Sequence, residues 1–170
     1  MTREAVGGIM NKIDKLVFKL SRYTDETKGK AMKYLDISNT NERLIKFGLS
    51  MPQRYKDGDV EEDPWWNVHL IVKKDYGKKK IEFSFAQESM TTYELKDLIK
   101  EIEKALMPNQ KEEMDFSTME PDFRFKFNGS YGIMDFNLCH ADTLSFWLKR
   151  EDFIRIKDYV KEFLKEMNVN

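Results

Sequence analysis

The apolar positions of this chain keep a period of two over much of its length and switch to a helical period twice. In DKLVFKLSRY (14–23), Leu16, Phe18 and Leu20 alternate with polar neighbours, which predicts a strand. TDETKGK (24–30) is polar, carries Gly29 and reads as a turn. AMKYLDIS (31–38) and ERLIKFGLSMP (42–52) predict two further strands, the latter stopped near Pro52. QRYKDGDVEEDP (53–64) holds seven charges and Gly58 and predicts a flexible loop. WWNVHLIVKK (65–74) then places Trp66, Val68, Leu70 and Val72 on one strand face. IEFSFAQ (81–87) returns with Ile81, Phe83 and Phe85 inward, as a hairpin with a Gly-containing loop.

In TTYELKDLIKEIEKALM (91–107) the rhythm changes. Leu95, Leu98, Ile99, Ile102 and Leu106 follow helical spacing, and Thr91 with Glu94 has the spacing of a capping box. Pro108 ends the helix. MDFSTMEPDFRFKFNGS (114–130) is read as one extended segment, turning at NGSYG into YGIMDFNLC (131–139). DTLSFWLKR (142–150) follows with Leu144, Phe146 and Leu148 on one face. EDFIRIKDYVKEFLKEM (151–167) is the second helix, its stripe made by Phe153, Ile156, Val160, Phe163, Leu164 and Met167. Glu151 and Asp152 suit its positive N-terminal end. No internal repeat is evident. The pattern predicts an α+β fold: a largely antiparallel β-sheet of about seven or eight strands, with two amphipathic helices packed on one face.

At 170 residues the chain suits a single domain, with residues 1–11 read as a loose leader and Met10 as an alternative start. Hydrophobic residues, at 41%, suffice for a core. The 29 basic and 30 acidic residues nearly cancel, so overall charge argues for neither nucleic acid nor an anionic membrane. The single cysteine, Cys139, permits no internal disulfide. No signal-peptide pattern or membrane-length apolar run occurs, and the expected compartment is the cytoplasm.

Candidate chemistry is sparse. His69, His140 and Cys139 do not make a metal set, and no cofactor-binding loop is present, so neither metal nor cofactor is expected. Cys139 and His140 are adjacent, and on a strand adjacent side chains point to opposite faces. In FRFKF, Arg124 and Lys126 share the face opposite three phenylalanines that read as core, which argues against base stacking and nucleic-acid binding. Glu120 and Asp122 lie on one side of a strand around Pro121 and make a carboxylate pair. The favoured reading is a sheet entrance at which Glu120 satisfies backbone amides. Trp65 is left nearer the surface than Trp66, either as an interface anchor or tucked under the acidic loop.

The second half resembles the WapI-type immunity proteins and their uncharacterised relatives in Gram-positive bacteria. The resemblance runs over about residues 65–167. It is carried by Trp66-x-Val68-x-Leu70-x-Val72, then by Thr91, Glu94, Leu95, Leu98 and Ile102 of the first helix. EPDF at 120–123 with its alternating phenylalanines follows, and then FWLKREDF at the start of the second helix. It implies a non-catalytic protein that binds and blocks a toxin domain delivered by neighbouring cells. Many such toxin domains are nucleases with basic clefts, to which an acidic surface is complementary. The expected partner-binding residues are therefore Asp57, Asp59, Glu61, Glu62, Asp63 and Trp65. A ligand-binding module with an aromatic pocket between sheet and helices, lined by Phe83, Phe123 or Trp147, is the alternative. An enzyme using Glu120, Asp122 or His140 ranks third.

Overall fold

The computed structural model describes residues 33–40, 43–55, 62–75, 80–108, 113–120, 122–128, 131–139 and 142–169. The strand expected at 14–23, the turn at 24–30, the leader at 1–11, residues 56–61 of the acidic loop and His140 fall outside them. The first half forms β1 (Leu35–Thr40), β2 (Arg43–Ser50), a 3-10 turn (Gln53–Tyr55), β3 (Trp65–Asp75), β4 (Lys80–Thr91) and α1 (Thr92–Leu106). The second half forms β5 (Met114–Ser117), β6 (Phe123–Phe127), β7 (Tyr131–Cys139), β8 (Asp142–Lys149) and α2 (Arg150–Glu166). The class is α+β as expected, and the eight antiparallel strands among the described residues divide into two four-stranded sheets, ordered β1-β2-β3-β4 and β5-β6-β7-β8.

This arrangement contains a repeat that the residue pattern did not reveal. Each half is a four-strand meander whose last strand runs straight into a helix: Thr91 ends β4 and Thr92 opens α1, while Lys149 ends β8 and Arg150 opens α2. The device at each junction is also shared. A carboxylate three residues into the helix accepts the amide of the last strand residue, Glu94 Oε2 from Thr91 at 2.8 Å and Asp152 Oδ2 from Lys149 at 2.9 Å. Thr91 returns the bond through its hydroxyl to the Glu94 amide at 3.2 Å, completing the expected capping box. At its far end α2 stops on Asn168 in the left-handed region, φ 55°, with the Val169 amide bonded to the Leu164 carbonyl at 3.0 Å.

The segment 114–130 is not one run. Met114–Ser117 and Phe123–Phe127 are separate strands paired antiparallel, with Phe116 opposite Phe125, and EPDF spans the end of the turn between them and the first residue of β6. The buried apolar positions are even in β5 (Met114, Phe116) and odd in β6 (Phe123, Phe125, Phe127), so the reversal shows in the sequence only as a one-residue slip of the alternation.

The helical stripes and the inner sheet faces form one core. Trp66 is fully buried, edge-on to Phe163 of α2 at 5.2 Å, and its indole N–H donates to Thr92 Oγ1 at 2.9 Å. Such a side chain needs a partner for its one polar atom when buried. Phe85 meets Phe136 at 4.6 Å and Phe123 at 6.0 Å, so the edge of the first sheet packs against the inner face of the second. The two helices pack on each other, α2 also reaches β1, and α1 reaches β5. Each helix therefore touches the sheet of the other half.

Gly132 of β7 sits beneath α2, where Phe127 and Phe153 meet at 4.8 Å. A methyl group there would enter the van der Waals shells of the Lys126 carbonyl and the Phe153 ring. Gly132→Ala is expected to lower the unfolding free energy by about 3 kcal/mol, at the upper end of overpacking costs, as read by denaturant titration. Lys126→Ala, on the outer face of the same sheet, is expected to stay within about 0.5 kcal/mol of the parent.

Candidate functional site

The N-terminus of α1 is where the two halves meet. A helix start leaves its first amides without intrahelical partners. Here they are met from three directions: Thr92 donates to the Pro64 carbonyl at 3.0 Å, Tyr93 to Asp63 Oδ1 at 2.9 Å, and Glu94 to Thr91. The Glu94 side chain is 6% exposed and its second oxygen accepts the backbone amide of Met119, in the EPDF turn. One carboxylate thus holds an amide of β4 and an amide of the β5–β6 turn.

The turn is fixed from other sides as well. The amide of Thr118 donates to the Phe123 carbonyl at 3.0 Å and the Thr118 hydroxyl accepts the Phe123 amide at 3.1 Å. Asp122 Oδ2 accepts from Ser89 Oγ at 2.8 Å. Ser89 is the extra residue of a β-bulge, since Trp66 pairs with Met90 and Asn67 with Glu88. The bulge turns this fully buried hydroxyl toward the second half.

This geometry revises the reading of the carboxylates. Glu120 is exposed, and the buried acid that satisfies backbone amides is Glu94. Asp122 is committed to Ser89, so Glu120 and Asp122 form no acid–base pair. The signal is in the sequence: a capping box at Thr91 and Glu94 uses one carboxylate oxygen and leaves the second free to accept another amide.

Of the six residues expected to bind a partner, Asp57, Asp59 and Glu61 lie outside the described residues. Glu62 and Asp63 are exposed, with Asp63 held at the positive end of α1. Trp65 is half-buried and its backbone amide donates to Tyr55 Oη at 3.1 Å. The described end of the acidic loop thus abuts the start of α1.

Beside it lies a feature that sequence reasoning missed, an open groove of about 350 Å³ between α1 and β5. Its helix wall carries Tyr93, Asp97 and Glu101, and its strand wall Asp115, Phe116, Ser117 and Met119. Tyr93 and Met119 are 66% and 70% exposed, which is unusual for side chains of their size. Asp115 is paired with the Arg124 guanidinium, which holds its carboxyl below the usual range. Among the described residues no basic side chain pairs with Asp97 or Glu101.

The aromatics of the expected ligand pocket are elsewhere. Phe83 and Phe123 pack on Phe136 within the core at 5.7 and 5.0 Å. Trp147 is 62% exposed on the outer face of the second sheet, beside Tyr131 at 5.4 Å. Among the described residues no group of three or more metal-ligating side chains converges. His69 lies on the outer face of the first sheet with Nε2 2.8 Å from Ser50 Oγ and the Tyr34 ring edge-on.

Among known proteins, the family model described as "Immunity protein WapI-like family" matches residues 37–168. No curated protein and no solved structure matches the chain.

Two outcomes test this geometry. Glu94→Ala strands two backbone amides and is expected to cost about 3 kcal/mol in urea unfolding, while Glu120→Ala stays within about 0.5 kcal/mol. Burial pushes the His69 imidazole down from 6.5 to about 4. Between those values the unfolded chain takes up a proton that the native protein does not. Stability contributed by neutral His69 is therefore complete above pH 6.5 and falls as pH drops toward 4. His69→Gln is expected to flatten that part of the stability–pH curve, measured by urea unfolding at closely spaced pH values.

Proposed function

The chain belongs to the WapI-like immunity protein family, and on that premise we propose that it neutralises a cognate toxin domain by direct binding, without catalysis. The family match, which spans the whole described α+β fold except its first few residues and its last, carries this reading. The site works in the cytoplasm, where an incoming toxin domain would act. No helix among the described residues is long and apolar enough to cross a membrane.

The surface around the start of α1 supports the choice of binding face. Glu62 and Asp63 lie beside Tyr93, and Asp97 and Glu101 continue the acidic strip along the helix. Asp57, Asp59 and Glu61 extend the same charge in sequence. A toxin domain with a basic substrate cleft, as in a nuclease, complements such a face, and the attraction speeds encounter more than it slows dissociation. Trp65 and Tyr93 are of the residue types that anchor interfaces. The aromatic side chains that a small-ligand reading places around a cavity instead pack on one another or face outward, which supports the binding-protein reading.

Expression of the C-terminal toxin domain encoded upstream of this gene is expected to kill a test bacterium, and co-expression of this protein is expected to rescue it and co-purify. Toxicity with neither rescue nor binding would sink the reading. Reversal of Glu61, Glu62 and Asp63 to lysine is expected to weaken the complex at least ~10-fold, mainly through a slower association rate that is most evident at low salt.

A further inference from the structure

We propose that the groove between α1 and β5 is a strand-addition site that takes an extended basic segment of the toxin domain. This deepens, and rests on, the immunity reading. The argument begins with backbone hydrogen bonds. Among the described residues β5 is the outermost strand of its sheet and pairs only with β6. The Thr118 amide donates to the Phe123 carbonyl across that ladder. Hydrogen-bonded pairs alternate in an antiparallel ladder, so Phe116 and Met114 also bond toward β6. Asp115 and Ser117 then turn their N–H and C=O groups the other way, toward the open edge. Both residues line the groove.

An added strand can therefore make up to four main-chain hydrogen bonds there, the mode by which extended peptides complete exposed sheet edges. Its alternate side chains would face α1, because Phe116 points inward on that side while Asp115 and Ser117 point outward. The wall they meet carries Asp97 and Glu101, one helical turn apart. Four residues of helix rise about 6 Å, and two residues of strand about 6.7 Å. Two basic side chains at alternate positions of the added strand thus stand opposite the two acids. Two like charges four apart repel each other on a helix, which a cationic occupant would relieve. Tyr93 and Met119, both exposed at one end of the groove, offer apolar contact to the aliphatic stems of lysine or arginine.

Hydrogen exchange on the complex of the full chain with the neighbouring toxin domain tests this. In the free protein the Asp115 and Ser117 amides are expected to exchange readily; in the complex both are expected to become protected at least tenfold. Ser117→Pro removes an edge donor without touching the β6 ladder, and Asp97→Lys with Glu101→Lys reverses the helix wall. Each is expected to weaken binding tenfold or more with an unchanged melting temperature. A toxin complex of parent-like affinity in the charge-reversal variant, with both amides exchanging as in the free protein, overturns the groove and leaves the immunity reading standing. If the toxin domain does not bind the parent protein at all, that reading fails first. A synthetic decapeptide of alternating arginine and valine then decides the groove, with protection of the two amides supporting it and their unchanged exchange overturning it.

Discussion

Two amides in different halves of the chain, those of Thr91 and Met119, both donate to the carboxylate of Glu94. Buried amides without partners cost enough that the surrounding structure must supply an acceptor. Only a side chain with two oxygens, fixed at the third position of a helix, can serve both. The rest of the arrangement follows from that. α1 must begin where β4 ends, the β5–β6 turn must come to the helix start, and the Ser89 bulge of β4 is aimed at Asp122. The EPDF turn is thus held by α1, and not by the acid that gives the motif its first letter.

Much of the fold was legible in the chain because burial has a period. The alternation at Trp66–Val72 and Phe123–Phe127 and the stripes at Leu95–Ile102 and Phe153–Leu164 are where strands and helices were expected. The capping box at Thr91 and Glu94 also read directly, since its chemistry is local. Three things did not read. The reversal between Ser117 and Phe123 shows only as a one-residue slip of the period-two pattern, from Met114 and Phe116 to Phe123 and Phe125, which a β-bulge in one continuous strand would also give. The doubled meander-and-helix plan is a similarity of topology, carried by different residues in each half. The groove depends on which side of β5 its hydrogen bonds face, and that is set by pairing with β6 and not by any motif. The acidic loop was legible as charge, but its relation to α1 required the bond from Tyr93 to Asp63.

The two sheets present unlike outer surfaces. The first carries His69, Gly48 and Tyr34 in close contact; a side chain at Gly48 would press on the Tyr34 ring 3.0 Å away. The second carries the bidentate Asp115–Arg124 pair and the Tyr131–Trp147 contact. Both inner faces are covered by helices, so a protein partner meets the outer faces, the sheet edges and the exposed end of α1. Of these, the end of α1 combines net negative charge with large exposed apolar side chains. That combination favours fast capture by charge and slow release by contact.

The last helix closes the first sheet. Tyr159 of α2 accepts the Leu49 amide on its hydroxyl at 2.9 Å and donates to the Lys33 carbonyl at 2.8 Å, and its ring lies edge-on to Phe47 at 6.0 Å. Residues separated by more than a hundred positions are thereby joined in one core. On the ribosome, β1 to β4 emerge long before the helix that covers them, and their apolar faces must wait in the nascent chain. The first sheet is therefore closed only once α2 has left the exit tunnel, and until then its inner face is open to whatever the nascent chain meets.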